Sequence, residues 1–223
     1  LSERNKRKDS YTDGLISYWP MDDGEGMIAH DIIRNRHLQL PSDNVWWYNN
    51  NNIALTIPQG EVAKMPLAEC PIPAGEDYVF ECWFRMKQDG TLFYLSDSTM
   101  AVGFSGNRLQ LTLKNGIWEV PTPVTPTDGI WHHLALNYRH NTLPIFLLDG
   151  HLLDVVGVDE LPAFASAYLI FSSEQATAEV DIDEVRLWNT ALSDEQLTAV
   201  LCGGADVGFD GSSYELIKDG DEN

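Results

Sequence analysis

Three carboxylates recur at every second residue in the stretch Glu179-Val180-Asp181-Ile182-Asp183. On a β-strand such residues project from one face. Acids grouped in this way are the raw material of general acid–base work, of nucleophilic attack on a sugar carbon, or of cation binding. Retaining hydrolysis needs two carboxyl groups about 5–5.5 Å apart across the scissile bond. Residues two apart on a strand are separated by roughly 6.6–6.8 Å at Cα, so convergent side chains can reach that spacing. The chain continues Glu184-Val185-Arg186-Leu187-Trp188, and plain alternation puts Asp181 and Asp183 in step with Val185 and Leu187. Carboxylates on a core-side face require a cation or several donors.

Two other groupings could carry chemistry. Val45-Trp46-Trp47-Tyr48 runs into four asparagines, Asn49–Asn52, and an indole beside amides can stack on and hydrogen-bond a sugar. Trp46, Trp47 and Trp118 are therefore the candidate ligand-binding residues, against the plainer alternative of tryptophans buried in strands. His132 and His133 resemble metal ligands by type, but neighbours on a strand point to opposite faces and cannot converge on one ion.

These residues need strands to position them. Tyr78–Met86 places Phe80, Cys82, Phe84 and Met86 on one face, as a central strand would. Leu134, Leu136 and Tyr138 are in phase within Ile130–Tyr138, and Arg108–Lys114 alternates throughout. Asp89-Gly90, Asn115-Gly116 and Asp149-Gly150 are turn dipeptides between strands. The one persuasive helix is Asp194–Leu201, opened by Ser193 and Gln196 as a capping box and ended by Gly203-Gly204. A long series of short strands with little helix predicts an all-β fold, an antiparallel two-sheet sandwich or jelly roll with one short C-terminal helix.

Composition narrows the partners. Of 223 residues, 43% are hydrophobic and 10% aromatic, enough for one sizeable core. The net charge is −20, although Arg4, Lys6, Arg7 and Lys8 crowd the first eight residues. Such a surface repels phosphate backbones and anionic membranes, so nucleic acid is excluded as a partner while cations and neutral sugars stay open. No apolar run is long enough to span a bilayer. The three cysteines, Cys70, Cys82 and Cys202, lack metal-type spacing, and their odd number argues against a full disulfide framework while leaving one bridge open. The chain opens at Leu1 and is expected to be part of a longer protein. Residues 1–13 read as a leading arm, 14–202 as the folded domain, and 203–223 as an acidic tail or linker.

Several motifs resemble known families. Glu179–Asp183 resembles the catalytic strand of the glucanases of the concanavalin A-like superfamily, which would make Glu179 and Asp183 a hydrolytic pair. A wider resemblance runs from Gly14 to Leu201. It rests on Gly14–Gly26, Asn52–Ile57, Trp131–Tyr138, Leu148-Asp149-Gly150 and Asp183–Leu192, and it points to the laminin-G-like jelly roll of the same superfamily. That resemblance implies a non-catalytic accessory module of a secreted, periplasmic or cell-surface protein, in bacteria often joined to glycan-active enzymes. It also implies one structural Ca²⁺ at the sandwich rim, matching Asp31 and Asp183, with Asp22, Asn35 and His37 as further ligands. Two aspartates do not complete the six to eight oxygens that calcium takes. The expected function is glycan or protein-partner binding beside neighbouring domains of the parent protein; the alternatives are a glycoside hydrolase and a purely structural spacer.

Overall fold

The computed structural model describes residues 14–34, 36–43, 45–49, 52–67, 72–73, 75–158, 160–193 and 196, with short segments at 208–209 and 214–215. The first strands are β1 (Leu15–Trp19), β2 (Ile28–Ala29), β3 (Leu38–Gln39), β4 (Trp46–Asn49), β5 (Asn52–Ile57) and β6 (Val62–Pro66). Then come β7 (Tyr78–Met86), β8 (Gly90–Leu95), β9 (Met100–Phe104), β10 (Arg108–Leu113) and β11 (Gly116–Pro121). The last of the sandwich are β12 (Trp131–Tyr138), β13 (Ile145–Leu148), β14 (His151–Asp154), β15 (Tyr168–Ser172) and β16 (Val180–Trp188). Two-residue strands β17 (Gly208–Phe209) and β18 (Tyr214–Glu215) pair with each other.

Among the described residues, β1 to β16 form two eight-stranded antiparallel sheets. The first runs β14-β13-β12-β7-β16-β5-β4, with β1 also on β16; the second runs β11-β10-β9-β8-β15-β6-β3-β2. This is the all-β two-sheet sandwich expected of the sequence. The core lies between the sheets and takes Phe80, Cys82, Phe84 and Met86 from β7, with Leu134, Leu136 and Tyr138 from β12. Facing them are Phe93, Phe104, Leu109, Leu111 and Phe171 of the second sheet. Each such side chain removed from water contributes about 1.5–3 kcal/mol.

The turn dipeptides divide into two kinds. Asn115-Gly116 closes β10 onto β11, and Asp149-Gly150 closes β13 onto β14 with both residues at positive φ, 49° and 77°. Asp89-Gly90 instead carries the chain from β7 in the first sheet to β8 in the second. The sequence marks a turn but not whether the strands it joins share a sheet.

β16 corrects a second expectation. Asp183 pairs with Trp83 and Arg186 with Glu81, so Glu184 and Val185 together oppose Cys82, and Glu184 sits at φ 50°. This β-bulge shifts the alternation by one residue. Asp181 and Asp183 therefore face away from the core, whereas Val185 and Leu187 face into it. The outward face of the first sheet carries Arg186 and Trp188 after the bulge.

Beyond β16 the chain returns over that outward face. Asn137 donates to Leu192 O at 3.1 Å and accepts from Leu192 N at 3.3 Å, and Arg139 donates to the same carbonyl at 2.9 Å. Ser193 and Gln196 make the reciprocal capping bonds at 2.9 and 3.2 Å, and Gln196 is helical. The rest of the expected helix, residues 1–13, the tail apart from β17 and β18, Cys70 and Cys202 lie outside the described residues. Cys82 is a free, fully buried thiol.

Candidate functional site

Strand register assembles one row of side chains across the outward face of the first sheet. Trp131 of β12 is opposite Arg85 of β7, Arg85 is opposite Asp181 of β16, and Asp181 is opposite Thr56 of β5. Arg85 donates through Nε to Asp181 Oδ2 at 2.6 Å, and Thr56 Oγ1 donates to Asp181 Oδ1 at 2.6 Å. Both carboxylate oxygens of this 1%-exposed residue are thereby engaged, which offsets the cost of removing its charge from water. Trp47 of β4 completes the group. The Arg85 guanidinium lies 4.6 Å from the Trp47 ring centroid and 5.1 Å from that of Trp131, and the two indoles meet edge to face at 6.1 Å. Arg85, Trp47 and Trp131 are half-buried, so each keeps surface open to solvent. One step along the strands, Lys87 and Glu179 form an exposed pair at 2.6 Å.

The same face closes over farther along. His133 hydrogen-bonds Glu81 at 3.0 Å and packs on Trp83, with 5.3 Å between centroids. Arg186 donates to Glu81 at 2.8 Å, also bonds Glu184, and lies 4.2 Å from the Tyr18 ring centroid. Tyr18 donates its hydroxyl to Glu184 at 2.7 Å. Burial pushes the Glu81 carboxyl up, but His133 and Arg186 outweigh it and hold the group below its ordinary value. Burial likewise opposes the Arg186 charge, yet Glu184 and Glu81 raise its pKa. Glu81, Glu184 and Arg186 are partnered within this network, and Nδ1 of His133 is buried without a hydrogen bond.

The three acids of the opening motif do share a face, but each is differently engaged. Glu179 is held by Lys87, Asp181 by Arg85 and Thr56, and buried Asp183 accepts from Glu184 N at 2.9 Å. The three tryptophan candidates do not form one surface. Trp47 joins the row, Trp46 packs on the core and donates to Gly26 O at 3.0 Å, and Trp118 packs on the core from edge strand β11 of the other sheet. None of the three is fully buried. Arg85, Trp131, Asp181 and Thr56 were not singled out by sequence as ligand-binding. The signal available was that Arg85 is in phase with Glu81 and Trp83, opposite Phe84; the cross-strand register that unites them is tertiary.

The rim residues are arranged as follows. Asp31 accepts from Tyr18 N at 3.1 Å and Ile33 N at 2.9 Å, and its backbone N donates to His37 Nδ1 at 3.3 Å. Its second oxygen lies 3.8 Å from Nε of Arg36, a side chain 2% exposed, so the buried cation beside Asp31 is a guanidinium. Asp22 is exposed, and Asn35 lies outside the described residues. Among the described residues, no three of His, Cys, Asp or Glu converge on a point that could hold a metal ion. Calcium requires an oxygen shell at 2.3–2.6 Å, and a divalent ion on Asp31 would meet the guanidinium at close range. As arranged, Asp31 does not fit a calcium site.

His132 and His133 do diverge. His132 is held between Asp149 at 2.7 Å and Asp128 at 3.2 Å, on the opposite side of β12 from His133 and Glu81. A shallow depression of about 460 Å³ lies beside the second sheet, lined by Gln39, Leu40, Glu61, Lys64 and Glu174. It contains no aromatic ring.

Comparison with known proteins matches this architecture. A laminin G family model of the concanavalin A-like lectin/glucanases superfamily matches residues 59–198. No curated protein matches the chain. Among solved structures, the ligand-binding domain of botulinum neurotoxin serotype D in complex with N-acetylneuraminic acid is similar at a TM-score of 0.68 and 12% identity, over 87% of this chain and 52% of that one. The binding domain of Paraclostridial mosquitocidal protein 1 gives 0.66 and 12%, over 87% and 52%. Trypanosoma rangeli sialidase gives 0.61 and 12%, over 89% of this chain and 37% of the sialidase. The chain thus spans about half, or less, of the structures it resembles. With a family model covering more than half of its residues, and the two-sheet fold to match, the chain belongs to the concanavalin A-like lectin/glucanases superfamily.

Proposed function

We propose that this chain is a non-catalytic carbohydrate-binding module of a larger exported protein, with its site on the row Trp47–Arg85–Trp131. The observation that carries the reading is the Arg85 guanidinium held by Asp181 between two half-exposed indoles. Indole faces supply apolar surface for the C–H side of a sugar ring, and the guanidinium supplies donors for its hydroxyls. Superfamily membership and the likeness to a domain solved with N-acetylneuraminic acid support it. The engagement of Glu179 by Lys87 and the burial of Asp183 support a binding role over hydrolysis by that pair. The parent protein's other domains and any glycan they act on belong to the same proposal. The rim is proposed to be held by Arg36 in place of calcium.

The test is retention on immobilised oligosaccharides by the native chain and by Trp131→Ala and Trp47→Ala. Native retention, weakened about tenfold in each variant at an unchanged fold, is the expected result. A native chain that binds no glycan overturns the proposal.

A further inference from the structure

The open part of this face is electrically closed. Arg85 and Asp181 are 2.6 Å apart, as are Lys87 and Glu179, so each cation on it has a carboxylate already in contact. Farther along, Arg186 is spent on Glu81 and Glu184, and His133 on Glu81. Asp181 gives one oxygen to Arg85 and the other to Thr56, and is buried; it acts as a fixed counter-ion beneath the guanidinium.

We infer that the row reads uncharged sugars, hexose or N-acetylhexosamine units, and rejects glycans carrying a carboxylate. This rests on the reading of the face as a glycan site and narrows it. An anionic sugar approaching Arg85 meets Asp181 next to it, so attraction and repulsion largely cancel at short range. At long range it meets a chain of net charge −20. A neutral ring needs neither term: its hydroxyls accept from the guanidinium, and its C–H face covers indole without moving a net charge out of water. Rejection by uncompensated like charge is a specificity device in itself. The inference departs from the likeness to a domain solved with N-acetylneuraminic acid, an acidic sugar.

The experiment uses the full chain on two matched panels: neutral hexose and N-acetylhexosamine oligosaccharides, and the same chains capped with sialic acid. Retention of the neutral panel, at least about tenfold stronger than of the capped one and equal at low and high salt, is expected. Asp181→Asn removes the counter-charge and should strengthen binding of capped glycans about tenfold, now with salt dependence. Glu179→Gln, on an exposed side chain, shifts the same way by less and serves if Asp181→Asn does not fold. Stronger native binding to capped glycans, binding that weakens with salt, or no gain in either folded variant overturns the neutral-sugar assignment and leaves the glycan site standing. Native retention on neither panel overturns the glycan reading itself.

Discussion

Asp31 and Arg36 are buried side by side, Nε 3.8 Å from Oδ2, without a hydrogen bond between them. Each is instead committed to strand β1. Asp31 accepts from Tyr18 N, Arg36 donates to Ile16 O, and Ile32 N donates to Tyr18 O at 2.9 Å. The loop thus satisfies the edge of β1 that faces away from β16, an edge that would otherwise be open to foreign strands. The carboxylate and the guanidinium neutralise each other inside that cover.

It follows that a chelator leaves the melting temperature of the native chain unchanged. Arg36→Met, which strands the Asp31 charge, should cost about 3–5 kcal/mol. Differential scanning calorimetry with and without chelator reads both. A chelator-induced fall in the native chain would restore a metal to the rim.

Glu81 joins His133 and Arg186 at full burial, so Glu81→Leu leaves two donors without their acceptor. Breaking such a group costs about 3–5 kcal/mol, or roughly 10 °C in melting temperature for a domain of this size. Glu81→Gln, which keeps an acceptor oxygen, should lose less. Equal melting of native and Glu81→Leu proteins would show that the network contributes nothing.

His132 supplies a pH dependence of definite sign. Burial lowers its pKa, but the hydrogen bonds and charges of Asp149 and Asp128 outweigh this and raise it. A folded-state pKa above the unfolded value of about 6.5 means stability that is fully present below that pH and lost as pH rises through the folded pKa. Thermal melts across that window should fall with pH in the native chain, and His132→Gln should remove that component of the fall. A slope of the opposite sign, or one unaffected by the substitution, contradicts the assignment.

Trp118→Ala, on the far sheet, should leave glycan retention at the native level while Trp131→Ala weakens it about tenfold. Retention assays on both variants separate the row from the tryptophan candidate on β11. Loss of retention in Trp118→Ala at an intact fold would move the site to the β11 edge.

Much of the sandwich was legible because burial alternates cleanly where strands are regular. The phase of Phe80 to Met86 on β7, and of Leu134 to Tyr138 on β12, identifies their core faces directly. The same logic failed on β16, because a bulge at Glu184 leaves no mark in hydrophobic alternation when both faces of a strand are buried. Trp47 was visible as a candidate, yet its partners Arg85, Trp131 and Asp181 come from three other strands. Their meeting depends on register, which is written in the pairing of whole strands and in no single segment. Arg36 lies between Asn35 and His37, both expected as calcium ligands; that an arginine there turns inward follows from the uncovered edge of β1, a property of the assembled sheet.

The bulge also has a practical meaning for anyone editing this protein. It works like a one-letter insertion in a two-letter code: upstream of Glu184 even-numbered positions of β16 face the core, downstream odd-numbered ones do. Deleting Glu184 would remove the extra letter and put both halves into one frame, with Val185 and Leu187 still inward beside Val180 and Ile182 and Arg186 still outward. Side-chain replacements at Asp181 leave that frame intact, so the binding row can be rewritten without respelling the core.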